Sequence, residues 1–224
     1  RELNMKKKTF ICCILSASMI FASGILTSVY AADDTLTLAD YPEYKDIVQK
    51  YYDGAAAGWN IGQFQEQNLC YLAGYYADIN KLGYFLQDID NNGTAELFIG
   101  ALDDGSDTYE EMFFDMYTLI NGRLSLVTTS GERDRYYLCT DNTIANEGSG
   151  SAFNSVRQYY VYTNGQLNLK ESVVYDSEKN PQNPWSFNTA DSANGVTISE
   201  SDAYSIMDNY EYTRIPFIAL ADMK

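Results

Sequence analysis

The rhythm of apolar and polar residues along this chain changes once, near Tyr84. Ahead of it, Tyr44, Ile47, Val48 and Tyr51 recur at i, i+3, i+4 and i+7, which puts one apolar stripe on a helix. Asp40 before Tyr41-Pro42 suits an N-cap with proline in the first turn, and Gly54 suits a stop, so the pattern predicts a helix over 42–53. Phe64, Leu69, Leu72, Tyr76 and Ile79 follow at steps that predict a second helix over 62–80.

From Tyr84 onward the period is two. Tyr84 to Gln87, Glu96 to Gly100, Glu111 to Ile120, Arg123 to Thr128, Arg135 to Thr140, Ser155 to Thr163 and Gln166 to Tyr175 are rich in β-branched and aromatic residues and bounded by Gly and Asn. Asn121-Gly122 and Asn164-Gly165 each separate two such runs, and Asn-Gly favours the type I' hairpin because both central residues need positive φ. The two hairpins are alike in sequence: Tyr117 to Leu126 matches Tyr160 to Leu169 at a constant offset of 43 residues. Two copies are too few for a repeat array, so they read as similar hairpins in one curved sheet. Asp176 to Gly195, with Pro181 and Pro184, reads as the longest loop. Ser199 to Asp202 resembles a capping box ahead of a late helix, and Ile215 to Leu220 reads as a final edge strand. The prediction is an α+β fold: two N-terminal helices, a mainly antiparallel curved sheet of about 7 to 8 strands, and one late helix.

Composition narrows the chemistry. The chain has no histidine, which removes His-based nucleophile pairs, imidazole general bases and His-ligated metal sites. Its formal charge is -16, which disfavours nucleic acid and anionic lipid, since both are held by clustered Lys and Arg. Met5, three lysines and an apolar run from Phe10 to Val29 ending at Tyr30-Ala31 have the layout of a cleaved signal peptide, with Arg1 to Asn4 upstream of it. Removing residues 1–31 takes away four basic residues and one acidic one, so the charge deepens to -19. The expected organisation is a signal over 1–31, a polar leader over 32–40 and one globular domain over 41–224. The product is expected to be secreted, extracellular or associated with the cell envelope, and not inserted in a membrane once the signal is gone. Cys70 and Cys139 then remain; secretion permits a disulfide, and two small buried thiols is the preferred reading.

One stretch carries chemistry in its spacing. Asp88, Asp90, Asn92 and Glu96 place oxygens at loop positions 1, 3, 5 and 9, Gly93 stands at 6, and Thr94 offers its carbonyl at 7. Calcium takes six to eight hard oxygen ligands, and a tight loop of alternating side chains supplies them. Position 12, the bidentate glutamate of an EF-hand, is Ile99 here, and Leu97-Phe98-Ile99 continues as a strand. The competing reading is an Asx-rich turn, since Asp, Asn and Gly dominate turns without any metal.

The loop resembles the strand-loop-strand calcium loops of FG-GAP-type propeller blades, with Asn92 and Glu96 in place of two aspartates of that pattern. The mature chain as a whole is similar to a group of poorly characterised secreted proteins of Gram-positive anaerobes. The likeness rests on the line Gly83-Tyr84 to Leu97, the hairpin start Tyr117 to Gly122, and the helix start Ile198 to Tyr204. It implies calcium at Asp88, Asp90, Asn92, Thr94 and Glu96, and no particular activity. With three carboxylates, an affinity of roughly 10⁻⁴ to 10⁻³ M is expected.

Other candidates are weaker. Asp103 to Asp107 lacks the alternating frame and reads as a solvated turn. Asp107, Glu110 and Glu111 would allow the carboxylate pair of a glycan hydrolase, but acid pairs arise by chance in a chain this acidic, and no catalytic residue is assigned. Trp185, in the long loop, is the aromatic expected to be exposed and is the candidate contact for a glycan. Arg133 and Arg135 are expected to pair internally with Glu132 or Asp134 rather than to contact an anionic partner. The sequence thus favours a secreted calcium-binding module acting by binding or as structure, with an extracellular glycan or protein as partner. The alternatives are a glycan hydrolase and a carbohydrate-binding module.

Overall fold

The computed structural model describes residues 36–102, 111–190 and 195–223. The expected signal peptide and most of the leader lie outside these residues, as do the acidic turn Asp103 to Asp107 and Glu110. Among the described residues no helix is long and apolar enough to cross a membrane.

The expected proportions of the fold are overturned. One antiparallel sheet of eleven strands dominates, and the helices are short. The strands are β1 (Leu82–Gln87), β2 (Glu96–Ala101), β3 (Met112–Ile120), β4 (Arg123–Thr129), β5 (Asp134–Leu138), β6 (Ile144–Ser151), β7 (Asn154–Thr163), β8 (Gln166–Asp176), β9 (Trp185–Thr189), β10 (Val196–Thr197) and β11 (Ile218–Ala219). Their order is β10-β9-β8-β7-β6-β5-β3-β2-β1-β11. β3 forks: its first residues pair with β5, and the rest of the same edge pairs with β4. The extra strands beyond the predicted 7 to 8 include β6, whose Asn, Gly and Ser carry little strand propensity but which is hydrogen-bonded on both sides, β9, which lies in the stretch expected to be one long loop, and β10, just past the end of that stretch.

The N-terminal helices are also corrected. The first begins as a 3-10 turn, Pro42–Tyr44, and continues as α1 (Lys45–Ala56). Asp40 does not cap it; its carboxylate accepts from the backbone N–H and hydroxyl of Thr37, which holds its pKa below the ordinary value. Gly54 does not stop it either. Gly54 is buried inside α1, where a Cβ would lie 2.6 Å from the Trp59 ring and 2.9 Å from Phe64, and the stop falls at Gly58, whose φ of +65° suits glycine. The second predicted helix breaks in two: α2 (Ile61–Glu66), closed by a capping box between Asn60 and Gln63, and a 3-10 turn over Tyr71–Tyr75. Asn68 at φ +57° separates them, so the apolar spacing is split between Phe64 on the first piece and Leu69, Leu72 and Tyr76 on and around the second, all on one core. Leu38, placed in the polar leader by sequence, is fully buried in that core. The late helix α3 (Glu200–Met207) carries its capping box between Ser199 and Asp202.

Strands β1 to β3 are buried on both faces. The helices cover one face, packing Tyr44, Val48, Tyr51, Phe64 and Leu72 against Leu82, Leu97, Ile99 and Phe114. The other face is the inside of the curved sheet, where Phe85, Phe98, Phe113, Leu138, Ile144 and Tyr162 from six strands meet. Cys70 and Cys139 are free thiols buried in different clusters, so no disulfide joins them.

Candidate metal centre

The β1–β2 connection, residues 88–95, joins two paired strands whose register closes at Gln87 and Glu96. Its shape is set by its own side chains. The Asp88 carboxylate accepts from the N–H groups of Asn92 (3.1 Å) and Gly93 (2.8 Å), Asp90 accepts from Asn92 (3.3 Å), and the Asn92 side-chain oxygen accepts from Thr94 (2.8 Å). Asn91 at φ +57° and Gly93 at φ +88° supply the left-handed turns. No atom lies within 4 Å of a Cβ built on Gly93, so glycine is suited there by conformation rather than by space. The Asx hydrogen bonds of the competing turn reading are therefore present.

The loop is also anchored to distant segments. Ala95 is held from the helical side, its N–H donating to the Tyr41 hydroxyl (3.0 Å) and its carbonyl accepting from Tyr44 (2.7 Å). Ile89 is buried inside the curved sheet. Across the curve, the tip of the β7–β8 hairpin reaches the loop: Asn164 donates its N–H to Asp90 at 2.7 Å. That tip is the second Asn-Gly turn, with φ of +46° at Asn164 and +84° at Gly165.

Within this frame the oxygens of Asp88, Asp90 and Glu96 lie within 4.8 Å of one another. Glu96 opens β2 and is fully buried. It accepts three hydrogen bonds, from the N–H of Ile89 (3.1 Å), the Thr118 hydroxyl (3.0 Å) and the Tyr162 hydroxyl (2.9 Å). Burial pushes its pKa up to about 7; the three donors oppose this, and the nearby Asp90 charge adds to it. Among the described residues, no basic side chain is a hydrogen-bond partner of these three acids.

The donor set is therefore hard oxygen and acidic, the kind that suits calcium and not a soft metal. Ligands around 2.4 Å from one ion lie at most about 4.8 Å apart, so the spacing of the three acids fits a shared ion. Sequence located these acids but missed their supports. Thr118, Tyr162 and Asn164 lie on other strands and turns, and nothing in the local pattern around Asp88 points to them.

A second buried acid lies on the opposite face of the same sheet. A bulge where β2 meets β3, between Ile99 and Gly100, turns both Phe114 and Asp115 toward the helices. Asp115 accepts from the Tyr51 hydroxyl, the Tyr117 hydroxyl (2.8 Å) and the N–H of Cys70 (3.2 Å) through one oxygen. Its other oxygen is buried beside Thr129 without a hydrogen bond of ordinary geometry. Burial raises its pKa, against the pull of these donors.

Trp185 is not a loop tip. It opens β9, half-buried, with its ring 4.8 Å from Tyr175 and 5.7 Å from Tyr204 of α3. No protein-family model, curated protein or solved structure matches this chain.

Proposed function

We propose that the protein is a secreted module that binds one calcium ion in the 88–96 loop and uses it to fix the loop against the sheet. The supporting observation is the convergence of Asp88, Asp90 and Glu96, with no basic hydrogen-bond partner among the described residues. Three carboxylates so close repel one another, and one of them is buried; a divalent cation relieves both costs. In this reading Asp88, Asp90 and Glu96 hold the ion, with Asn92 and the Thr94 carbonyl completing the set. The ion supplies charge neutralisation and no catalysis. Because Asp90 also accepts from Asn164, the ion would stiffen the contact between the loop and the β7–β8 hairpin. The signal-like N-terminus and the likeness of Gly83 to Leu97 to secreted proteins point the same way.

Terbium is a direct probe, since it takes calcium sites and is excited by nearby tyrosine, and the Tyr162 hydroxyl bonds Glu96. Tyrosine-sensitised terbium emission that calcium displaces, and that is lost in an Asp88→Asn, Asp90→Asn double variant, is the expected result. Emission that survives the double variant would place the ion elsewhere.

A further inference from the structure

Beside Glu96 stands one oxygen that the spacing of the 88–96 loop does not include. Gln87 is the last residue of β1 and pairs with Glu96 across the strands, so both side chains leave the sheet on the same face, the inner one that also carries Phe85 and Phe98. A circuit of hydrogen bonds ties the two together through Asn142, which sits between β5 and β6 with φ of +63°. The Gln87 amide nitrogen donates to the Asn142 side-chain oxygen (3.1 Å), and the Asn142 amide nitrogen donates to the carbonyl of Ile89 (3.1 Å). The N–H of Ile89 in turn donates to Glu96 (3.1 Å). Gln87 is thus fastened at the root of the acidic loop from a segment more than fifty positions away.

The circuit also fixes which way each amide faces. A backbone carbonyl only accepts, so the Asn142 atom toward Ile89 is its nitrogen, and the atom toward Gln87 is its oxygen. That oxygen needs a donor, so Gln87 turns its nitrogen to Asn142 and its oxygen away from it. Exchanging the two atoms of either amide would set oxygen against oxygen. The Gln87 Oε1 atom left over is buried, and among the described residues no donor reaches it. Buried acceptors ordinarily have a partner. The other amide oxygens around the loop do: Asn92 accepts from Thr94 (2.8 Å), and Asn164 accepts from Asn92 (3.4 Å).

The neighbour of this oxygen across the strands is a carboxylate, itself an acceptor, so a cation is the partner that would serve both. The loop alone offers five oxygens, from Asp88, Asp90, Asn92, Thr94 and Glu96, one fewer than the smallest calcium shell of six. We propose that Gln87 Oε1 is a sixth protein ligand of the ion, supplied from outside the loop, and that it favours calcium over magnesium. Magnesium keeps several waters in a tight octahedron, whereas the larger calcium shell has room for a carbonyl held at a distance by Asn142. This assignment rests on the calcium reading of the 88–96 loop.

The test is displacement of terbium from the mature protein by calcium and by magnesium, in the wild type, Gln87→Met and Gln87→Glu, with urea unfolding in chelator as the check that each variant folds. Gln87→Met keeps the length of the side chain and removes the oxygen. It should weaken calcium about tenfold and leave magnesium within about twofold. Gln87→Glu keeps an oxygen in place and adds charge, and it should tighten calcium about threefold or more. Unchanged calcium binding in Gln87→Met, or an equal loss for both ions as a purely structural role would give, overturns the assignment and leaves the calcium reading standing. Should Gln87→Met not fold, Gln87→Glu decides: tighter calcium supports the sixth ligand, and unchanged or weaker calcium overturns it. A wild type that takes up neither terbium nor calcium overturns both.

Discussion

Glu96 and Asp115 are two acids on neighbouring strands of one sheet, both buried and both tied down by tyrosine hydroxyls and a backbone N–H, yet they sit on opposite faces and in different company. Asp115 lies among helices and apolar side chains, with no second carboxylate among its described hydrogen-bond partners. Glu96 lies at the end of the sheet, within 4.8 Å of two more acids on a solvent-facing loop. An isolated buried acid is relieved by a proton. A cluster of three is relieved by a cation, because protonating one member leaves the others charged. The same residue chemistry thus yields a structural knot in one place and a candidate ion site in the other.

The largest expected effect breaks the knot. Asp115→Ala strands the hydroxyls of Tyr51 and Tyr117, while the N–H of Cys70 keeps the Tyr51 oxygen at 2.9 Å, and at about 1–3 kcal/mol per stranded donor it should cost at least about 2 kcal/mol in urea unfolding. Asp88→Asn, by contrast, should leave unfolding in chelator nearly unchanged and remove the calcium-dependent gain. That gain is about 1.4 kcal/mol when calcium stands at ten times its dissociation constant.

The pH dependence should separate the two acids further. Asp115 has its folded pKa raised above the ordinary 3.8. Its contribution to stability is therefore fully present below that ordinary value and is lost as pH rises through the raised one. Asp115→Asn cannot ionise, so its stability relative to the wild type should improve from pH 4 to pH 8 in melting scans. A constant difference across that range would mean that Asp115 titrates normally. The smallest effect is expected at Asp104, whose replacement by Ala should leave the calcium response unchanged, since its run lacks the alternating oxygen frame.

What could be read from sequence follows from what is local. The acids of the 88–96 loop are legible because a metal loop is a contiguous spacing, and the two Asn-Gly turns are legible because positive φ demands particular residues. β6 was not legible: Ile-Ala-Asn-Glu-Gly-Ser-Gly-Ser has neither alternation nor propensity, and its neighbours β5 and β7 impose its extension. The false long helix over 62–80 arose because two short turns on one core present apolar residues at helical intervals. Asp115 was hidden by a bulge, which turns it to the same face as Phe114 and breaks the alternation that would have exposed its role. Tyr162 and Asn164 join the loop from more than sixty positions away, through curvature that no local pattern encodes.

The central claim is that the acidic loop is completed by calcium. Melting the mature protein in excess calcium and in chelator tests it most directly. A gain of about 1.4 kcal/mol at tenfold saturation corresponds to a midpoint about 3–6 °C higher for a domain of this size, and it should vanish in the Asp88→Asn, Asp90→Asn double variant. An identical midpoint in calcium and in chelator would contradict the claim and leave the loop as a turn held by its own Asx hydrogen bonds.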